Sequence, residues 1–145
     1  MPKISLVTSL YKAAQYVPEL YERSRAALLD CTDVYEIIFV DDGSPDGARD
    51  TVLALIAKDS NVRLVELSRN FGQHRALFTG LQHATGVLVF MIDAELEEDP
   101  ALVRQFYERM NAEPEVDVVY GVMTSRKGGF AERTFGSWFY SAINL

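Results

Sequence analysis

The stretch Glu36-Ile37-Ile38-Phe39-Val40-Asp41-Asp42-Gly43-Ser44-Pro45-Asp46 decides the fold class. Four consecutive apolar residues, 37–40, leave no polar face, so the segment reads as a strand covered on both sides, as in a parallel sheet. The chain then passes at once into acidic, Gly, Ser and Pro residues, the chemistry of a turn. A buried strand that ends on a polar turn is where open α/β sheets place their ligands.

Working outward, the same alternation recurs. Residues 4–9 form a short apolar run before Leu10 and Tyr11, and residues 62–67 and 87–92 are two further strands, the latter the most apolar. Residues 116–120 read as a fifth. Between them apolar residues fall at helical spacing: Val17, Leu20, Tyr21, Ala27 and Leu28 over 17–29, with Pro18 near the start, then Val52, Leu55 and Ile56. Ala76, Leu77, Gly80, Leu81 and Ala84 mark a third helix, and Leu102, Val103, Phe106, Tyr107 and Met110 a fourth, opened by Pro100. Strand and helix in alternation imply an α/β fold of layers around a mostly parallel sheet with right-handed crossovers.

The chain has 145 residues, 48% of them hydrophobic, which suits one domain with one core. Its net charge of −7 disfavours nucleic acid as a partner and favours a divalent cation at clustered carboxylates. The single cysteine, Cys31, excludes an internal disulfide. Apolar runs of about six residues are far short of the ~20 of a spanning helix, and no leader pattern opens the sequence. A cytoplasmic location is expected, peripheral at the inner face of the cell membrane. A last amphipathic segment, with Phe135, Trp138, Phe139, Ala142 and Ile143 on one side, is expected to meet a membrane surface or a second copy of the chain.

Clusters rich in polar residues terminate the strands: Thr8, Ser9, Leu10 and Tyr11 after the first, 41–46 after the second, 68–75 after the third and 93–99 after the fourth. Asp93 and Glu95, two apart where a strand becomes a turn, can converge on one Mg²⁺ or Mn²⁺, which needs only one or two protein carboxylates when substrate phosphates complete its shell. Glu98 and Asp99 read instead as the acidic start of the helix after Pro100. Asp41 and Asp42 are either turn residues or acceptors for a nucleobase N–H or a ribose hydroxyl. In the third cluster, Ser68-Arg69-Asn70-Phe71-Gly72-Gln73-His74-Arg75, Gly72 permits close backbone approach, and Arg69 or Arg75 can reach phosphate oxygens. His74 reads as a polar residue of a first helical turn. The dinucleotide fingerprint and the Gly-Lys-Ser/Thr phosphate loop are both missing.

Together, Val40 to Asp46, Leu67-Ser68-Arg69-Asn70-Phe71-Gly72 and Ile92-Asp93-Ala94-Glu95-Leu96-Glu97 resemble the family-2 glycosyltransferases of the GT-A fold. The closest-looking branch transfers sugars to polyprenyl phosphates, as dolichol-phosphate mannose synthases do. Tyr120-Gly121-Val122, Arg126-Lys127-Gly128, and Phe139-Tyr140 with Asn144 extend the match along the chain. The resemblance implies a Rossmann-like three-layer GT-A domain, 1–145, truncated on its C-terminal, acceptor side. It implies a UDP- or GDP-linked sugar donor and a lipid-phosphate or glycan acceptor. Asp41 or Asp42 would touch base and ribose, with Thr8, Leu10 and Tyr11 walling the base and Arg69 and Gly72 nearby. Asp93 and Glu95 would bind the metal, with Glu97 close to its shell, and Arg126 and Lys127 would lie on a phosphate or acceptor loop. The implied reaction is an inverting displacement at the anomeric carbon, with the cation neutralising charge on the departing nucleotide. Two positions depart from the family's pattern. Glu95 stands where Asp is usual, and Lys12 and Ala13 stand where Asn and Glu are common. The alternatives are an inactive nucleotide-binding module and a phosphoacceptor receiver domain, whose acidic pair would follow the first strand rather than the second.

Overall fold

A computed structural model describes residues 3–122. The elements follow in the order β1 (Ile4–Leu10), α1 (Val17–Leu29), β2 (Tyr35–Asp41), α2 (Ala48–Ile56), β3 (Val62–Glu66), α3 (Gln73–His83), β4 (Leu88–Met91) and α4 (Leu102–Ala112). All pairings are parallel, and the sheet order is β3-β2-β1-β4. The fully apolar run of β2 makes it a central strand, and every one of its residues is buried.

The chain moves from β1 out to β3, then jumps back past β1 to β4. A right-handed crossover that reverses direction must lie on the opposite face of the sheet, and α3 does so. It packs on β1 and β2 through a small cluster of Val7, Ile38, Val40 and Ala76. The larger core lies on the other face, where Leu6, Leu10, Ile37 and Phe39 meet Val17, Leu20 and Leu28 of α1, Val52 of α2 and Val103 of α4. Three layers result, as the α/β reading requires.

The approach of α3 depends on Gly80. A Cβ there would lie 2.4 Å from a Val7 methyl and 2.9 Å from a Val40 methyl. No side chain fits between helix and sheet at that point.

One expected element is not formed. Residues 116–122 carry no strand, and Val118, Tyr120 and Val122 are exposed. Their β-forming composition is not enough, because a strand is stabilised by a paired neighbour and a half-buried face rather than by intrinsic preference. The fourth strand is also shorter than the apolar run 87–92: Val87 lies outside it and is exposed, as are Val89 and Met91. Arg126, Lys127 and the aromatic segment 133–145 fall outside the described residues. Among the described residues no helix is long and apolar enough to cross a membrane.

Candidate active site

The strand order reverses between β1 and β4, and an open cavity of about 320 Å³ lies beyond the carboxyl ends of the strands there. It is lined by Ser9, Tyr11, Ala13, Asp42, Asn70, Gln73, Asp93, Ala94, Glu95 and Glu97. Four of these are carboxylates and none is a cation.

The two-residue period of strands explains which side chains arrive there. Ser9 pairs in register with Val40, and Val7 with Met91. Continuing these registers by two places sets Ser9, Asp42 and Asp93 on one face of the sheet, the face that α3 covers. Thr8, Leu10 and Asp41 alternate onto the other. Thr8 and Leu10 are completely buried, with Leu10 in the main core, and neither lines the cavity. Tyr11, beyond the strand, does reach it and is 44% exposed.

Asp41 and Asp42 separate in the same way. Asp41 Oδ1 accepts the N–H of Ser44 at 3.0 Å, closing its own turn, and burial pushes its carboxyl above the usual range. Asp42 is 2% exposed and borders the cavity. Its Oδ1 accepts the N–H of Phe71 at 2.7 Å and its Oδ2 that of Gly72 at 2.9 Å. Asp42 therefore fastens the β3–α3 loop to the site.

The rest of the acidic loop fastens the opposite wall. Ser44 Oγ accepts the N–H of Lys12 at 2.8 Å and donates to Asp46 Oδ1. Asp46 Oδ2 accepts the N–H of Ala14 at 2.8 Å. Desolvation alone would raise the Asp46 carboxyl, but hydrogen bonds from Ser44, Ala14 and Ala48 hold it below its ordinary value. Gly43 makes the hub compact. It has φ +66°, and a Cβ on it would lie 2.7 Å from the Arg69 carbonyl carbon and the Asn70 nitrogen. The run 41–46 thus organises both neighbouring loops.

Asp93, Glu95 and Glu97 follow β4 and line the same cavity. Leu96, between the last two, has φ +59°, and Lys12, between the lining residues Tyr11 and Ala13, has φ +57°. Non-glycine residues adopt this region rarely and at a cost, and such strain gathers at binding sites. Asp93 Oδ1 accepts a short hydrogen bond from Gln73 Nε2, and the Asp93 N–H donates to Glu98 Oε2. Asp99 accepts the N–H of Ala101 and pairs with Arg23 at 3.0 Å, so it acts at the start of α4 rather than in the site.

Other residues singled out from the sequence stand outside the cavity lining. Arg69 does not line the cavity, and its guanidinium lies 4.9 Å from the centre of the Phe71 ring. Gly72 caps α3 with φ +94° and has committed its N–H to Asp42. His74 and Arg75 are exposed in the first turn of α3 and stand outside the cavity lining. The lining residues given no role in the site from sequence are Ser9, Ala13, Asn70, Gln73 and Ala94. For Ser9 the signal was present, since strand alternation opposes it to Thr8 and Leu10.

A divalent cation fits this donor set. Among the described residues no three His, Cys, Asp or Glu side chains form a ready cage. Two carboxylates beside open space instead suit a hard cation that completes its shell with phosphate and water. Asp93 and Glu95 are the residues that would hold it.

The comparisons with known proteins bear on the family and the fold. Residues 5–143 match the model of Glycosyl transferase family 2. The chain belongs to that family. It is 52% identical over 134 residues to a protein of Mycobacterium tuberculosis named as putative glycosyltransferases, covering 92% of this chain and 39% of the relative. It is 36% identical over 133 residues to an undecaprenyl-phosphate 4-deoxy-4-formamido-L-arabinose transferase of Klebsiella pneumoniae, covering 91% and 40%. The chain thus spans about two fifths of the length of these relatives. Among solved structures it resembles the mannosyltransferase PcManGT of Pyrobaculum calidifontis in complex with GDP-Man and Mn2+, with TM-score 0.55, 27% identity, and coverage of 65% of this chain and 28% of that one. It shares its fold with S. aureus TarS at TM-score 0.63 and 19% identity, covering 86% of this chain and 38% of that one. The GT-A expectation for the family-2 chain is met, with the parallel sheet and three layers described above.

Proposed function

We propose that this chain forms the donor site of a glycosyltransferase that moves a sugar from a nucleoside-diphosphate sugar to a polyprenyl phosphate. The observation that carries the reading is the cavity at the β1/β4 reversal, lined by Asp42, Asp93, Glu95 and Glu97 and, among the described residues, by no cationic side chain. Such a site repels a diphosphate unless a cation accompanies it. A divalent ion held by Asp93 and Glu95 supplies the charge that draws in the diphosphate and stabilises it as a leaving group.

Within that reading Tyr11 offers a ring against the base, and Asp42 borders the base and ribose region while its oxygens hold the 71–72 backbone. Asn70 and Ser9 supply further hydrogen-bonding groups. A lipid phosphate is already anionic at neutral pH and needs no general base, so inverting attack on the anomeric carbon asks no proton transfer of these carboxylates. The undecaprenyl-phosphate transferase among the relatives favours this acceptor class over a growing glycan. The relative solved with GDP-Man and Mn2+ supports both the donor class and the cation.

Calorimetry tests the reading directly. UDP or GDP should bind with Mg²⁺ or Mn²⁺ present and lose measurable affinity in chelator. Equal affinity in both conditions would remove the metal-dependent donor site.

A further inference from the structure

We propose that Gln73 is a positioning residue for Asp93: its side-chain amide holds one carboxylate oxygen so that the other stays turned to the cation and diphosphate. This inference rests on the donor-site reading above.

Gln73 is the first residue of α3, lines the cavity, and donates from Nε2 to Asp93 Oδ1. Among the described residues no other side chain donates to that carboxylate. The hydrogen bond joins the start of α3 to the turn that follows β4.

The position of Gln73 is itself set from the acidic loop. Asp42 takes the N–H groups of Phe71 and Gly72, and Asn70 Oδ1 also accepts from Gly72 at 3.1 Å. These contacts fix where α3 begins, and Gln73 is the next residue. The order of control runs from Asp42 through the Gly72 backbone to Gln73, and from Gln73 to Asp93.

A neutral amide is suited to this task. Lys or Arg would donate as well but would bring a positive charge against the incoming cation. Glu would add an acceptor where a donor is needed. Asp93 lies just past the strand, where the backbone alone leaves its carboxylate free to rotate. A partner that fixes the orientation of a metal-binding carboxylate is typically worth about 10- to 100-fold in metal affinity. Gln73 is exposed, so its contribution belongs at the lower end of that range.

The experiment is a Mn²⁺ titration followed by electron paramagnetic resonance, with saturating GDP or UDP, on the parent, Gln73→Met and Gln73→Ala. Met keeps the length of the side chain without a donor, and Ala removes it while favouring the helix. Both variants should bind Mn²⁺ about 10-fold more weakly while their unfolding midpoints stay at the parent value, a combination that a purely structural role would not give. Parent-like Mn²⁺ affinity in either variant would overturn the inference and leave the donor site standing. A parent chain that binds no Mn²⁺ with nucleotide would overturn the functional reading and this inference with it.

Discussion

The Gly72 N–H donates to Asp42 Oδ2 at 2.9 Å, joining residues that are 30 apart in sequence. The bond turns an acidic residue that resembles a free nucleotide acceptor into the fastening of the opposite loop. Asp42 is nearly fully buried, and its other oxygen accepts from Phe71. Replacing it therefore disturbs two N–H groups, the start of α3 and one wall of the cavity together.

Asp42→Ala should lower stability by about 1–2 kcal/mol, because the partly buried Phe71 N–H loses its acceptor and the Gly72 N–H keeps only Asn70 Oδ1. Asp42→Asn keeps one acceptor oxygen but places an NH₂ against a backbone N–H, so it should lose part of the same amount. Urea unfolding of the two variants gives the order. If Asp42→Ala unfolds at the parent's urea midpoint, the two hydrogen bonds do not fasten the loop.

The metal pair makes a separate demand. Asp93→Asn should weaken metal-dependent nucleotide binding about 30- to 1,000-fold, equivalent to roughly 2–4 kcal/mol for a lost charged partner. Glu95→Asp should preserve or strengthen it, because the shorter carboxylate is the family's usual residue. Calorimetry with Mn²⁺ and GDP or UDP measures both, and unchanged affinity in Asp93→Asn would remove Asp93 from the metal site.

Much of this architecture was legible in the residues. Apolar runs located β1 and β2, and alternation over 62–67 located β3, each to within a residue or two, and the stripe from Val17 to Leu29 matches α1 at both ends. The segment 116–120 failed because its composition reports a liking for pleated, half-buried surroundings, and those depend on a neighbour that sequence does not supply. In the site, Asp42, Asp93, Glu95, Glu97 and Tyr11 were singled out and do line one cavity. Choosing Asp42 over Asp41, or Ser9 over Thr8 and Leu10, required the face of each strand, which register fixes and composition does not. Gln73 was hidden for another reason: its importance lies in a contact to Asp93, 20 residues away in sequence.

Gly80 tests the close approach of α3 to the sheet. Gly80→Ala adds a methyl where Val7 and Val40 already stand within 3 Å. Helix propensity would gain about 1 kcal/mol, but overpacking of this kind costs roughly 1–3 kcal/mol. The net expectation is a destabilised chain with weaker nucleotide binding, since a displaced α3 moves Gln73. A more stable Gly80→Ala variant with parent affinity would show that the helix can withdraw without disturbing the site.

Acid stability isolates a group at the other end of the sheet, away from the nucleotide. Glu36 is 5% exposed on β2 and accepts from Ser5 Oγ at 2.6 Å, Thr85 N–H at 2.7 Å, Thr85 Oγ1 at 2.9 Å and Arg63 at 2.9 Å. It ties the α3–β4 connection to β1, β2 and β3. Burial by itself would raise the carboxyl, but the donors from Ser5, Arg63 and Thr85 prevail and hold it down to about 2, against an ordinary value of 4.5. A folded-state value below the unfolded one means stability that is full above pH 4.5 and drains as pH falls towards 2. That contribution is about 3 kcal/mol. Urea unfolding should therefore show a loss of this size between pH 5 and pH 2, beyond what the other carboxylates account for. Glu36→Gln should be less stable at pH 7 by about 2–3 kcal/mol, because its NH₂ meets the donors that the carboxylate accepted from. Its acid limb should be correspondingly flatter. Parallel stability-against-pH curves for parent and variant would show that Glu36 does not carry the acid sensitivity.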